Sequence, residues 1–256
     1  MRRGSGSRMK GRQSSAVISQ SATVHHGTGL SALAAENILR GSRHWELLQK
    51  RMVKNVHRSV FRVDGCYVVK KYELPLVIRL HRRPWAIEDA CLRRLDGDDA
   101  PRVFGWLEQI EADRRVVWLL KEYIAGNPVS VFTLSDAPDL ARLLARIHGR
   151  RIITDDAHPQ NFIRSLDGRL MFTDFGRARL HCCHGPWLFV RIGWELAKLR
   201  RQGFLWDPGL WEAFHPIYFR ELGCSALSRA LIWVSCEIAI GMRMARKTLQ
   251  GKAARS

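Results

Sequence analysis

The sequence predicts an α+β protein, with a small strand-rich N-terminal unit followed by a mostly helical remainder. Three observations carry this. Two strand–turn–strand patterns precede residue 125, one around Asp64-Gly65 and one around Ala112-Asp113. Beyond residue 136 the apolar positions switch to helical spacing, with Leu140, Leu143, Leu144 and Ile147 at i, i+3, i+4 and i+7. Hydrophobic residues make up 46% and charged residues 26% of the 256 positions, enough to bury a core and to exclude a wholly disordered chain.

The elements follow in order. Residues 1–28 are rich in Ser, Gly, Arg and Gln, with Arg2, Arg3, Arg8, Lys10 and Arg12 and no acid, and read as a disordered basic arm. From Leu30 to about Arg51 the composition is helical, with Leu33, Leu39, Trp45 and Leu48 as packing residues. Val60, Phe61 and Val63 lead into Asp64-Gly65, and Tyr67 to Tyr72 reads as the returning strand. Trp85 to Leu95 reads as a helix, and Trp106 to Ile110 with Val116 to Tyr123 as a second hairpin.

Asp136 reads as an N-cap, with Pro138 in the first turn of the helix it opens. Asn161 to Ile163 and Leu170 to Thr173 read as short strands joined at Asp167-Gly168. Trp187 to about Arg246 reads as mostly helical, with Trp187, Trp194, Trp206 and Trp211 in its core. The apolar run Ala230 to Met242 reads as a buried helix, because it contains Glu237 and is too short to span a bilayer. The chain thus divides into an arm (1–28), a strand-rich unit with a leading helix (29–125), a helical unit (126–248) and a basic tail (249–256).

Charge bounds the partners. There are 42 Lys and Arg against 24 Asp and Glu, a net +18, and Arg dominates with 33 of the 42. Such a surface attracts polyanions: nucleic acid, anionic lipid head groups or phosphorylated substrates. Six cysteines without a repeating framework suit a reducing compartment. The basic N-terminus lacks the apolar stretch of a signal peptide, so a cytoplasmic setting is expected.

The chemistry concentrates in Ile152 to Ile163 and Phe172 to Gly176. Asp156 is followed five residues later by Asn161, and a hairpin then ends in Asp174 before Phe175-Gly176. Hard oxygen ligands in this arrangement suit Mg²⁺, which takes one or two carboxylates together with phosphate oxygens. A further carboxylate can orient a hydroxyl and accept its proton. His181-Cys182-Cys183-His184 is a poor zinc site, because four consecutive side chains do not converge on one tetrahedral ion.

These residues resemble the protein-kinase-like superfamily. Asp156 to Asn161 is similar to its catalytic loop, and Asp174-Phe175-Gly176 to its metal-binding triplet. Tyr67-Val68-Val69-Lys70 resembles the strand of its ATP-phosphate lysine, Glu88 the helix glutamate that pairs with that lysine, and Glu122-Tyr123 the hinge beside the adenine. Lys71 is the alternative phosphate lysine, since one of two adjacent strand residues must point outward. His158-Pro159 between the Asp and the Asn is closer to the small-molecule and sugar kinases than to typical protein kinases. Val69-Lys70-Lys71-Tyr72, the Arg83-Pro84-Trp85 lead into Glu88 and the basic balance most resemble the lipopolysaccharide kinases, which phosphorylate Kdo or heptose in the inner core.

The resemblance implies a bilobal kinase-like fold and ATP- and Mg²⁺-dependent phosphoryl transfer to a sugar hydroxyl. Asp156 would be the catalytic base, Lys70, Glu88 and Glu122 would serve ATP, Asn161 and Asp174 would hold Mg²⁺, and His158 would contact substrate or the loop backbone. The glycolipid acceptor implies a cytoplasmic protein, peripheral on the anionic inner face of the inner membrane. A protein Ser/Thr kinase or another small-molecule kinase, and a pseudokinase-type module that binds nucleic acid or a partner protein through its basic surface, are the alternative readings. The chain departs from the pattern twice: Thr154 stands where the loop usually begins with His, and Lys54 to Ser59 stands without a glycine in the place of the glycine-rich loop.

Overall fold

The computed structural model describes residues 30–53, 55–78, 82–201 and 207–253. The expected basic arm at 1–28, Lys54 and Trp206 lie outside the described residues. The order of elements is α1 (Leu30–Gly41), β1 (Trp45–Val53), β2 (Val56–Val63), β3 (Tyr67–Pro75), α2 (Pro84–Leu95), β4 (Val103–Glu111), β5 (Arg114–Glu122) and β6 (Gly126–Pro128). These are followed by α3 (Ala137–Gly149), β7 (Ile152–Ile153), β8 (Phe162–Ser165), β9 (Leu170–Phe172), β10 (Arg179–Leu180), α4 (Pro186–Arg201), α5 (Pro208–Leu222) and α6 (Ala226–Ala253).

The protein is α+β, with a strand-rich N-terminal sheet and a helical C-terminal part. The sheet is antiparallel, in the order β1-β2-β3-β5-β4. The β2–β3 turn sits at Asp64-Gly65, both residues at positive φ (47° and 72°), where Asp and Gly are tolerated. Asp64 Oδ1 accepts from the His44 and Arg43 amides, tying the entry of β1 to this turn. One face packs on α1 through Ala35, Leu39, Val63, Val69, Leu107 and Leu120. The other gathers Tyr72, Leu74, Val117 and Leu119 around Trp85 of α2.

The expected leading helix is shorter than its composition suggests. It ends at Gly41, and residues 45–53 form β1, paired with β2 from Trp45↔Val63 to Val53↔Val56. Glu46, Leu47, Leu48, Gln49, Lys50 and Met52 are good helix formers, but an open β2 edge offers main-chain partners that outweigh this weak local preference. Trp45 fixes the register edge-to-face on Phe61 and Trp118, at centroid distances of 5.6 and 6.0 Å.

The larger core lies among α3, α4, α5 and α6, and the predicted α3 stripe of Leu140, Leu143, Leu144 and Ile147 is fully buried. Asp136 occupies the N-cap position of α3, but its carboxylate accepts from Thr133 N and Oγ1 instead of capping the helix. Gly193 lets α4 press against α6: a Cβ there would lie 2.4 Å from Ile232 O. Helix α6 departs from expectation twice. It runs on to Ala253, through the first residues of the expected basic tail. The run Ala230 to Met242 is buried on one face only, with Ile232 and Cys236 inside and Val234, Ile238 and Met242 more than half exposed. Trp211 joins the core as expected, whereas Trp187 and Trp194 are exposed. Among the described residues, no helix is long and apolar enough to cross a membrane.

Candidate functional site

A cleft of about 550 Å³ opens between the sheet and the helical part. Apolar residues from the sheet, including Val56, Val60, Val68 and Tyr72, line one side, and Ile163 faces them from β8. Lys70, Arg58, Lys121, Asp156, Asn161 and Asp174 gather at its polar end. Apolar walls converging on a few placed charges are the usual form of a small-molecule site.

The period of the strand turns the two lysines to opposite faces. Lys70 lies on the same β3 face as Val68 and Tyr72, turned toward the cleft, and is buried. Its Nζ donates to Glu88 Oε1 and Oε2 at 2.6 and 2.7 Å and to Asp174 Oδ1 at 2.9 Å. Lys71 faces the other way, 4.7 Å above the Trp118 ring and paired with Glu73. On α2, Pro84 occupies the first turn, and Glu88, Cys91, Leu92 and Leu95 form the buried stripe. Glu88 is therefore a fully buried acid, while its neighbour Asp89 pairs along the helix with Arg93.

Two further cations enter this cluster. Arg58 on β2 donates to Asp174 Oδ2 at 2.9 Å, from the segment that lacks a glycine-rich turn. Lys121, the penultimate residue of β5, donates to Glu88 Oε1 at 2.8 Å and to Thr173 O. Lys70, Arg58 and Lys121 thus set three cations against the two carboxylates they contact, Glu88 and Asp174, a local surplus that favours an anionic ligand. Burial pushes the Asp174 carboxyl up, but Lys70, Arg58 and Lys121 outweigh it and hold the group well below the usual carboxylate range. Burial lowers the Lys121 ammonium to about 8, an effect Glu88 only partly offsets. Lys121 escaped the sequence reading, because a lysine ending an apolar strand reads as the exit to solvent. Its period-2 relation to the buried Val117 and Leu119 was the available signal.

The 152–161 loop places the remaining residues. Ile152 and Ile153 pair with Leu180 and Arg179, and the chain then turns through Asp155 at φ 54°. Arg179 and Arg191 hold the Asp155 carboxylate, and Lys198 donates to its carbonyl. Thr154 is fully buried, and both its amide and its hydroxyl donate to the Glu195 carboxylate. Behind Glu195, His148 Nδ1 shares a 2.6 Å hydrogen bond with Tyr218 Oη, and its Nε2 lies 3.4 Å from Glu195 Oε2. A buried polar network therefore anchors this end of the loop without a leading histidine.

Asp156 is half-buried, with its Oδ1 3.4 Å from Arg177 Nη1 and 3.5 Å from Lys198 Nζ. Asn161 Nδ2 donates to Asp156 O at 2.7 Å, which leaves the amide oxygen for a cation. Asn161 O accepts from Thr173 N at 2.9 Å, so the loop is stitched to the segment carrying Asp174. Gly176 N donates at 3.2 Å to the same Asp174 oxygen, Oδ1, that Lys70 binds.

Glu122 lines the cleft beside Tyr123 and Ile124, and its Oε2 accepts from Arg102 N at 3.1 Å. His158 is exposed and is not among the cleft-lining residues. Its Nδ1 accepts weakly from Gln160 N at 3.4 Å, a contact with the loop backbone. The fold therefore brings Lys70, Glu122, Asp156, Asn161 and Asp174 to one cleft, with Glu88 directly behind Lys70, and leaves His158 outside. Among the described residues, no group of three or more His, Cys, Asp or Glu side chains could hold a metal, His181 to His184 included. No protein-family model and no curated protein matches the chain.

Proposed function

We propose that the chain is an ATP-dependent phosphotransferase of bilobal protein-kinase-like fold, acting on the hydroxyl of a sugar, Kdo or heptose, in the lipopolysaccharide inner core. One observation carries the reading. Lys70 bridges Glu88 and Asp174, while Asp156 and Asn161 come from a separate loop to the same cleft. The sugar acceptor rests on the resemblance at His158-Pro159 and Val69 to Tyr72, and the net charge of +18 suits a phosphate-rich glycolipid at an anionic surface.

The donor set fits Mg²⁺. One carboxylate, Asp174, and one amide oxygen, Asn161, are too few for a site made of protein alone. They suit an ion that keeps waters and completes its shell with phosphate oxygens. Bound there, the ion would neutralise charge on the phosphates.

The chain's own residues do the rest. Lys70 and Arg58 grip phosphate oxygens, with Glu88 holding the Lys70 ammonium in place. The apolar walls and the Glu122–Ile124 strand end receive the base. Asp156 orients the acceptor hydroxyl and takes its proton as the oxygen bonds to the γ-phosphorus. The bond from that phosphorus to the bridging oxygen breaks, leaving ADP. Catalysis of this kind is chiefly positioning and charge stabilisation.

The test is phosphate transfer from labelled ATP to a panel of Kdo-lipid A, heptosylated core, soluble sugars and a generic protein substrate. Wild type is expected to label a sugar acceptor. Asp156→Ala is expected to lose that turnover while nucleotide with Mg²⁺ still raises Tm. Unchanged turnover in Asp156→Ala rejects the assignment.

A further inference from the structure

Helix α4 carries a stripe whose outer half the phosphotransfer reading leaves without a role. Trp187, Arg191, Trp194 and Lys198 are spaced i, i+4, i+7 and i+11. On an α-helix this spacing places all four within about 60° of one another. The cationic members touch the loop that holds Asp156. Arg191 Nη2 donates to both Asp155 carboxylate oxygens, at 3.0 and 3.1 Å, and Lys198 Nζ lies 3.5 Å from Asp156 Oδ1.

The aromatic members face outward. Trp187 is 59% and Trp194 37% exposed, and their rings meet edge-to-face at 5.8 Å. The Arg191 guanidinium sits 5.2 Å from the Trp194 centroid, so the cation that clamps Asp155 also braces the indole. On the neighbouring carboxylate, Asp156, stands Arg177, whose side chain is 70% exposed and whose Nη1 lies 3.4 Å from Asp156 Oδ1.

Most of Trp187 and about a third of Trp194 remain in water, apolar surface that a ligand would gain by covering. Held against each other and against a fixed guanidinium, they lose little further freedom on binding. A flat indole face fits the C–H face of a sugar ring, and the exposed Arg177 and the partly exposed Lys198 beside Asp156 fit a carboxylate or phosphate on that sugar. The stripe runs about 16 Å from Lys198 to Trp187, more than one sugar ring can span.

We propose that Trp187 and Trp194 form an acceptor subsite that seats successive rings of an anionic oligosaccharide, with Arg177 and Lys198 receiving its negative charge beside Asp156. This assignment rests on the phosphotransfer reading for the role of Asp156 and adds where the acceptor lies.

The experiment compares wild type with Trp187→Ala and Trp187→Tyr, using delipidated Kdo-containing core oligosaccharide and Kdo-lipid A as separate acceptors. Trp187→Ala is expected to raise the KM of both acceptors about tenfold, with kcat changed less than about twofold and the nucleotide-induced rise in Tm retained. Trp187→Tyr is expected to restore most of the acceptor affinity. An unchanged acceptor KM in Trp187→Ala overturns the subsite and leaves the phosphotransfer reading standing.

Should wild type bind nucleotide and label no acceptor, the phosphotransfer reading fails, and equilibrium dialysis with the same oligosaccharide decides the subsite. Binding about tenfold weaker in Trp187→Ala than in wild type upholds it. Equal binding, or none by wild type, overturns it. Loss of binding to phosphatidylglycerol vesicles with oligosaccharide binding intact also overturns it, because the pair would then be a lipid contact.

Discussion

Replacing Lys121 with Met removes an ammonium that the fold holds against its preference. Lys121 is buried, donates to Glu88 and to Thr173 O, and lies in the field of Lys70 and Asp174. Burial is the largest influence and, with Lys70 adding to it, lowers the group from 10.5 to about 8, although Glu88 and Asp174 oppose this. Because the folded pKa lies below the unfolded one, the unfolded chain binds this proton more tightly. The contribution of Lys121 to stability is therefore lowest below pH 8 and rises until about pH 10.5.

At 1.36 kcal/mol per pH unit the full gain is about 3 kcal/mol, most of which falls between pH 7 and pH 10. Other buried groups act in the opposite direction at high pH. Burial, and then Glu88, pushes the Cys91 thiol up to about 12, and burial raises the Tyr72 and Tyr218 hydroxyls well above their ordinary value. These groups are present in both proteins, so they cancel when wild type is compared with Lys121→Met. Urea denaturation followed by circular dichroism at pH 7 and pH 10 gives the two stabilities at each pH. The stability of wild type minus that of Lys121→Met is expected to grow by about 2–3 kcal/mol between these values. A difference constant to within about 0.5 kcal/mol would refute the reasoning.

Other outcomes follow from the same geometry. Lys70→Met should abolish the nucleotide-dependent rise in Tm, whereas Lys71→Met, which loses a Glu73 pair and a Trp118 contact on the other face of β3, should keep it; thermal shift with ATP and Mg²⁺ separates the two. Thr154→Val strips the hydroxyl from the buried Glu195 carboxylate, and chemical denaturation should show a loss of about 1–3 kcal/mol. Gly193→Ala places a methyl 2.4 Å from Ile232 O, so α4 and α6 must separate. Denaturation should record a loss of about 1–3 kcal/mol, with the apparent nucleotide affinity kept, since the cleft lies elsewhere.

Local pattern carried much of the architecture. Alternation and the Asp64-Gly65 turn placed the β2–β3 hairpin, and helical spacing placed α3, because each signal is set by residues a few positions apart. The order Lys70, Glu88, Asp156, Asn161, Asp174 was legible in the chain, as residue types at separations that a resemblance could recognise. Segment 45–53 was not: its residues favour a helix, and only the open edge of β2, supplied from elsewhere in the chain, made it a strand.

Side-chain direction and burial were decided by tertiary packing. The sheet turned Lys70 rather than Lys71 toward the cleft, through its register with β2 and β5. Folding brought Lys121 and Arg58 to Glu88 and Asp174 across 33 and 116 residues, and supplied Glu195 as the partner of Thr154 across 41. It also left Trp187 and Trp194 outside the core that their chemistry suggested, and exposed one side of α6. Periodicity states which residues share a face. Which faces find a neighbour, and which charges meet, depends on contacts between distant segments, and no local window of sequence contains those.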